Sequence, residues 1–212
     1  YVCRELIDSA GGFHCSEDAD SEGIEGKYYV WNPEQVEQVL GTESARDFCT
    51  VYDISEKGNF EGKSIPNLPQ SISAWAEEMS VNEGELSAVL AGYREQLRVA
   101  REHRVHPGRD DKVVTAWNAL MIKSREIAGA VLNQPSYLTV AETAADFLLN
   151  HMTRDDGRLL HAFRGGKAHV DAYVDDYAFT IEAFFALVDA TGRARWIVRA
   201  VQVADCMLAN VE

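Results

Sequence analysis

The chemistry-bearing residues of this chain gather in three short stretches. Between Gly11 and Trp31, the run GGFHCSEDADSEGIEGKYYVW sets His14 close to Glu17, Asp18, Asp20, Glu22 and Glu25. From Arg109 to Ile122 the chain reads RDDKVVTAWNALMI, a charged cluster that leads straight into a helical pattern carrying Trp117 and Asn118. DDYAF at Asp175 to Phe179 again puts adjacent carboxylates at the start of an apolar helical run. Free backbone N–H groups and the helix dipole favour negative charge at such positions, so capping is the first reading and acid–base chemistry the second.

Two kinds of chemistry fit these residues. Crowded carboxylates raise one another's pKa, so one of Glu17 and Asp18 can serve as a protonated acid near neutral pH. A partner carboxylate roughly 5 to 10 Å away then completes a glycoside-hydrolysing pair, and Asp175 or Asp176 fills that role. Epimerisation of a sugar beside its carbonyl asks instead for groups that titrate near neutrality, which is the province of histidine. His14, His106, His161 and His169 all fall in loops or hairpins, and His14 adjoins the acidic loop. Trp31, Trp117 and Tyr177 offer faces on which a sugar ring can stack, although core packing explains an aromatic equally well. Arg109 and Lys112 flank Asp110 and Asp111; ion pairing is their first task, and holding a ligand carboxylate or phosphate their second. Asp111, Trp117 and Asn118, with Asp175 and Asp176, are expected to form the floor of a cavity.

The acidic loop also invites a calcium reading. Asp18, Asp20 and Gly23 start an EF-hand template acceptably, but its twelfth position is Tyr29, where a bidentate Glu is required. No metal is expected there, and no cofactor. The four cysteines, Cys3, Cys15, Cys49 and Cys206, include no CxxC pair, which points to reduced thiols in a cytoplasmic setting and away from zinc or redox chemistry.

A net charge of −14 repels a phosphate backbone, which argues against a nucleic-acid partner. No apolar stretch approaches the length of a membrane span, and YVCRELID at the N-terminus lacks the layout of a signal peptide. With 212 residues, 46% of them hydrophobic, the chain is long enough for one sizeable core, so one domain is expected.

The elements that must position these residues differ along the chain. KYYVW at Lys27 to Trp31 reads as a strand entering Asn32–Pro33 and a short helix that ends near Gly41, within loop-heavy surroundings. NFEGKSIPNLP at Asn59 to Pro69 reads as an ordered surface loop. From Asn82 onward the pattern is almost entirely helical: one long helix stopping before Pro107, then helices over 111–132, 136–151, 176–191 and 194–209. A hairpin over RLLHAFRGGKAHV turns at Gly165–Gly166.

The last four helices form two similar pairs. A shift of 59 residues superposes Ala119 on Ala178, Ile122 on Ile181, Ala141 on Ala200, Ala145 on Ala204, Asp146 on Asp205 and Leu149 on Leu208, without a gap. The first helix of each pair is nearly continuously apolar and the second alternates, which predicts one helix buried on several sides and one buried on a single face. Such pairs build either an α/α toroid or an open solenoid. The irregular inserts favour the toroid, whose loops at one end build a site.

The motifs at Gly11 to Trp31, GNFEGKSI at Gly58 to Ile65, RDDKVVTAWNALMI and DDYAF together resemble, in order and over most of the chain, the toroid portion of a thioredoxin-fused family that includes the spermatogenesis-associated thioredoxin-like proteins. The helical part of that family is similar to the six-hairpin glycosidases and the N-acylglucosamine 2-epimerases. The resemblance implies an all-α, six-hairpin-type toroid with small β-hairpin inserts, here incomplete, and a single domain over residues 1–212 without the thioredoxin-like domain. It also implies a carbohydrate-binding or carbohydrate-processing module, epimerase-like or glycosidase-like, whose partner is a small sugar or polyol. The alternative is a non-catalytic helical scaffold or interaction module.

Overall fold

The computed structural model describes residues 1–210, which divide into two compact units: Tyr1–Glu17 together with the chain from Arg109 onward, and Asp18–Gly108. The architecture is the mostly helical one expected, with small antiparallel inserts. No helix among the described residues is long and apolar enough to cross a membrane.

The unit that contains both ends of the described chain begins with α1 (Val2–Glu5) and β1 (Ser16–Glu17), and β1 pairs antiparallel with β4 (Arg109–Asp110). Then come β5 (Val113–Val114), α6 (Thr115–Val131) and α7 (Pro135–His151). The hairpin β6 (Leu160–Arg164) and β7 (Lys167–Asp171) follows, and α8 (Val174–Thr191) and α9 (Ala194–Asn210) complete the unit. The sheet order is β5-β6-β7, antiparallel throughout. Pro135 opens α7 at a position where a missing N–H costs nothing, and Gly192 ends α8 in the left-handed conformation.

The paired-helix pattern is realised in three dimensions. α6 packs on both α7 and α8, and α8 packs on both α6 and α9, so the first helix of each pair is central. Ala141 and Ala200, which the 59-residue shift superposes, are both fully buried, and their small side chains let the helices approach closely. Tyr137 is half-buried where its counterpart Trp196 is fully buried and stacks on Phe184, with ring centroids 5.4 Å apart. On α9, Trp196, Ala200 and Val203 form the single buried face expected of a flanking helix.

The second unit, Asp18–Gly108, holds the short hairpin of β2 (Asp20–Ser21) and β3 (Ile24–Glu25), then α2 (Pro33–Leu40), α3 (Thr42–Val51), α4 (Ile72–Met79) and α5 (Glu83–Arg101). Val36, Phe48, Val51, Leu90 and Leu97 centre its core. Asn32 and Gln35 close a reciprocal capping box at the start of α2, and Asn82 caps α5 by accepting from the N–H groups of Gly84 and Glu85. Gly58 is required where it stands: with φ +67°, a Cβ there would lie 2.2 Å from the Lys63 carbonyl oxygen.

Two expectations need correction. Lys27–Trp31 is not a strand. Tyr29 and Val30 both donate their N–H to the Gly26 carbonyl, which turns the chain, and only Trp31 forms a β-bridge, with Ser64. Gly26 at φ +69° supplies the reversal that the aromatic run conceals. The region before Phe60 is also less loop-rich than expected, because TESARDFCTV folds as α3 with Ala45, Phe48 and Val51 on its buried face.

Two outcomes test this packing. Phe184→Ala empties a fully buried site against Trp196 and should cost about 3–5 kcal/mol in chemical denaturation. Glu126 on α6 is only 7% exposed, and burial, aided by Asp189, raises its pKa. Its ionised form is therefore disfavoured in the fold, and stability falls as pH rises through the raised value. Glu126→Gln should raise the melting temperature at neutral pH, with the gain vanishing below the ordinary glutamate pKa of about 4.3.

Candidate functional site

The geometry with most chemical content in the first unit is built on Asp176, in the first turn of α8 and fully buried. Its Oδ1 accepts from the Ala116 N–H at the start of α6, 2.8 Å away. Its Oδ2 accepts from the Tyr173 N–H at 2.9 Å and lies 2.8 Å from His161 Nδ1 on β6. One carboxylate therefore ties its own helix start to a second helix start and to a strand. Because a carboxylate only accepts, Nδ1 of His161 carries the proton, which leaves the Nε2 lone pair as the reactive face of the ring. His161 keeps 29% of its side chain exposed and meets the edge of the half-exposed Tyr173 ring at 5.0 Å between centroids.

The surrounding contacts hold that dyad in register. Thr115 Oγ1 donates to the Leu160 carbonyl at 2.6 Å, and the Leu159 N–H donates to the Tyr177 hydroxyl at 3.1 Å. Thus Leu160, the first residue of β6, and Leu159 just before it are both pinned by helix-start side chains. Burial pushes the Tyr177 phenol above its ordinary pKa, with the Leu159 N–H acting in the opposite direction. Asn118 is likewise engaged with backbone: its Oδ1 accepts from Phe13 N–H at 2.7 Å, and its Nδ2 donates to the carbonyls of Phe13 and Val114, both at 3.0 Å.

Through Phe13 this network reaches His14, whose Nδ1 donates to the Asp111 carbonyl at 3.1 Å and so also leaves Nε2 as the acceptor. The Asp111 carboxylate in turn accepts from Arg164 Nε at 2.6 Å, at the far end of β6. Asp176 holds the start of α6, Asn118 on that helix holds Phe13, His14 is fixed on Asp111, and Asp111 on Arg164 of β6, all within one unit.

The remaining sequence candidates take various places. Asp175 is exposed beside Asp176, and Trp117 is 59% exposed on α6. Arg109 is exposed opposite Glu17 in the β1–β4 pair, and Glu17 Oε2 accepts from the Tyr1 hydroxyl at 2.8 Å. Lys112 pairs with Asp110 at 3.2 Å. Loss of hydration opposes ionisation of Asp110, but the Lys112 ammonium and N–H outweigh it and hold that carboxyl below its usual range. Asp18 and Trp31 belong to the other unit. Asp18 Oδ1 accepts from Asp20 N–H in a local turn, and Trp31 is buried with the Arg104 guanidinium 4.0 Å over its ring.

His161 carries the most developed arrangement, yet the sequence places it only among four loop histidines. Its partner is fifteen residues away, on the opposite side of a hairpin. The available signal is the β6–β7 turn at Gly165–Gly166, which returns the chain to the start of α8.

Comparison with known proteins agrees with the motif resemblance. No family model matches the sequence. The chain is 30% identical to spermatogenesis-associated protein 20 of Homo sapiens and of Mus musculus over 97% of its own length, and to an uncharacterized protein of Caenorhabditis elegans over 94%. It spans about 30% of the length of the human and mouse relatives. Among solved structures, a cellobiose 2-epimerase from Bacillus thermoamylovorans is similar over 97% of this chain and 51% of that one, with 11% identity and a TM-score of 0.44. A D-mannose isomerase is similar over 94% and 46%, with 16% identity and a TM-score of 0.41.

Asp176→Asn replaces an acceptor oxygen by an NH₂ group that must face one of three donors. It should lower stability by about 1–3 kcal/mol, and in NMR the His161 ring nitrogen shifts should show loss of the fixed Nδ1–H tautomer.

Proposed function

On the premise that the homologues of this chain are spermatogenesis-associated protein 20 and its thioredoxin-fused relatives, we propose that the chain is a carbohydrate-processing module of an α/α toroid that acts as an epimerase-like isomerase. The observation that carries this reading is the His161–Asp176 pair: a fully buried carboxylate orients a partly exposed imidazole with Nε2 available as a base.

In this reading an open-chain aldose presents the C–H beside its carbonyl to His161 Nε2. The imidazole removes the C2 proton, the electron pair moves into an enediolate, and the imidazolium that forms is stabilised by Asp176. Inversion requires return of a proton to the opposite face. His14 is the assigned donor in its imidazolium form: with its Nδ1–H held on the Asp111 carbonyl, Nε2–H delivers the proton to C2 and His14 is left neutral. Trp117 and Tyr173, both largely exposed aromatics at the starts of α6 and α8, supply apolar faces for the sugar's C–H groups. The substrate class is a small reducing sugar, and the setting is cytoplasmic.

A second reading, the non-catalytic scaffold, is favoured by one observation: both oxygens of Asp176 already serve as structural acceptors. The two readings part on His161, whose Nδ1–H contact to Asp176 an asparagine amide N–H can take over while the base at Nε2 is lost. With a panel of aldoses and N-acylhexosamines in D₂O, the wild-type chain should exchange the C2 proton for deuterium. His161→Asn should slow exchange by about 10²–10⁴-fold while the melting temperature stays near wild type. Absence of exchange across the panel, without release of reducing ends from glycosides, leaves the scaffold reading standing.

A further inference from the structure

The unit formed by Asp18–Gly108 contains a cavity of about 430 Å³ that the site above does not use. Its walls include the rings of Trp31, Phe48 and Tyr52, and its charged lining comes from Arg94, Arg98 and Arg101 on α5. These three arginines are spaced four and three residues apart, so one face of the helix carries all of them. Such a concentration of positive charge stands out in a chain of net charge −14.

Their partners are unequal. Arg98 is matched by Glu95 at 2.6 Å and Glu102 at 3.4 Å. Arg94 donates to the neutral hydroxyl of Tyr52 at 2.5 Å and forms no ion pair among the described residues. Arg101 lies over the rings of Tyr28 and Tyr29, at 5.0 and 5.1 Å, and its buried Nε has no acceptor among the described residues. A guanidinium N–H buried without an acceptor is costly, which marks a place for one. The next arginine, Arg104, has its pKa lowered by burial and then by the charge of Arg101, a further sign that positive charge here is not fully neutralised.

We propose that this cavity binds a small organic anion, a phosphate or carboxylate borne on a flat or weakly polar ring. The ring lies against Trp31, Phe48 and Tyr52, and the anionic group is held by Arg94 and Arg101. The volume lies in the range that accommodates such a molecule. Guanidinium forks match the oxygens of both anion types, and aromatic walls reward a ring that a free inorganic ion lacks. The inference is independent of the isomerase reading, because none of the residues involved belongs to the Asp176 network.

Phenyl phosphate and benzoate, titrated into the full chain and followed by NMR, test it; phenol and inorganic phosphate present each half of the ligand alone. The expected result is saturable binding of phenyl phosphate, benzoate or both in the micromolar to millimolar range, with each half-ligand at least about tenfold weaker. Arg94→Gln should weaken binding about tenfold or more. Leu68→Glu, which puts a carboxylate on an exposed rim position without disturbing the core, should do the same while the melting temperature holds. His161→Asn should leave binding unchanged, so failure here and failure of the isomerase reading are read separately. Lack of saturation by both anions, phenol binding as well as phenyl phosphate, or undiminished binding in a folded Leu68→Glu variant overturns the proposal.

Discussion

A carboxylate withdrawn from water must be repaid by hydrogen bonds, and at Asp176 that requirement organises one whole unit. The oxygens of this side chain reach donors on α6, on β6 and at the start of α8. None of the three segments can shift without stranding a buried negative charge. The helix start of α8 contributes its own dipole to the same end, so the charge sits where the fold already favours it. Structural capping and chemical activation are thus the same contacts seen from two sides: the bonds that fix the helix starts also leave His161 with a defined tautomer.

Much of this was visible in the sequence because helices announce themselves through periodicity and through their starts. The four helices from Thr115 to Asn210 fall within a few residues of their expected ends, and the buried faces of Ala141 and Ala200 follow from the 59-residue register. Asp176 was singled out as an acid at a helix start, which is where it sits. What the sequence could not convey is which partner a side chain meets across a fold. The pairing of His161 with Asp176 depends on the β6–β7 reversal, and the grip of Asn118 on Phe13 spans 105 residues. Lys27–Trp31 misled for a local reason: β-forming aromatics dominate its composition, while the conformation is set by Gly26 and by Arg104, which gathers the carbonyls of Tyr28 and Val30. The arginine face of α5 has no distinct sequence signal, since its meaning comes from the aromatic rings that other elements of its unit bring to it.

Small residues give the paired helices their closeness, and the same economy of space reaches the loop that carries His14. Gly12 lies against the ring of Phe147, so near that a Cβ would stand 2.9 Å from that ring's Cε1. Phe147 is itself 2% exposed, packed edge-on to Phe163 of β6 at 5.1 Å. The histidine loop therefore rests directly on an interior ring, with no slack between them. Bulk gained at position 12 has to be surrendered at position 147, so through sequence divergence these two sites must change as a pair or not at all.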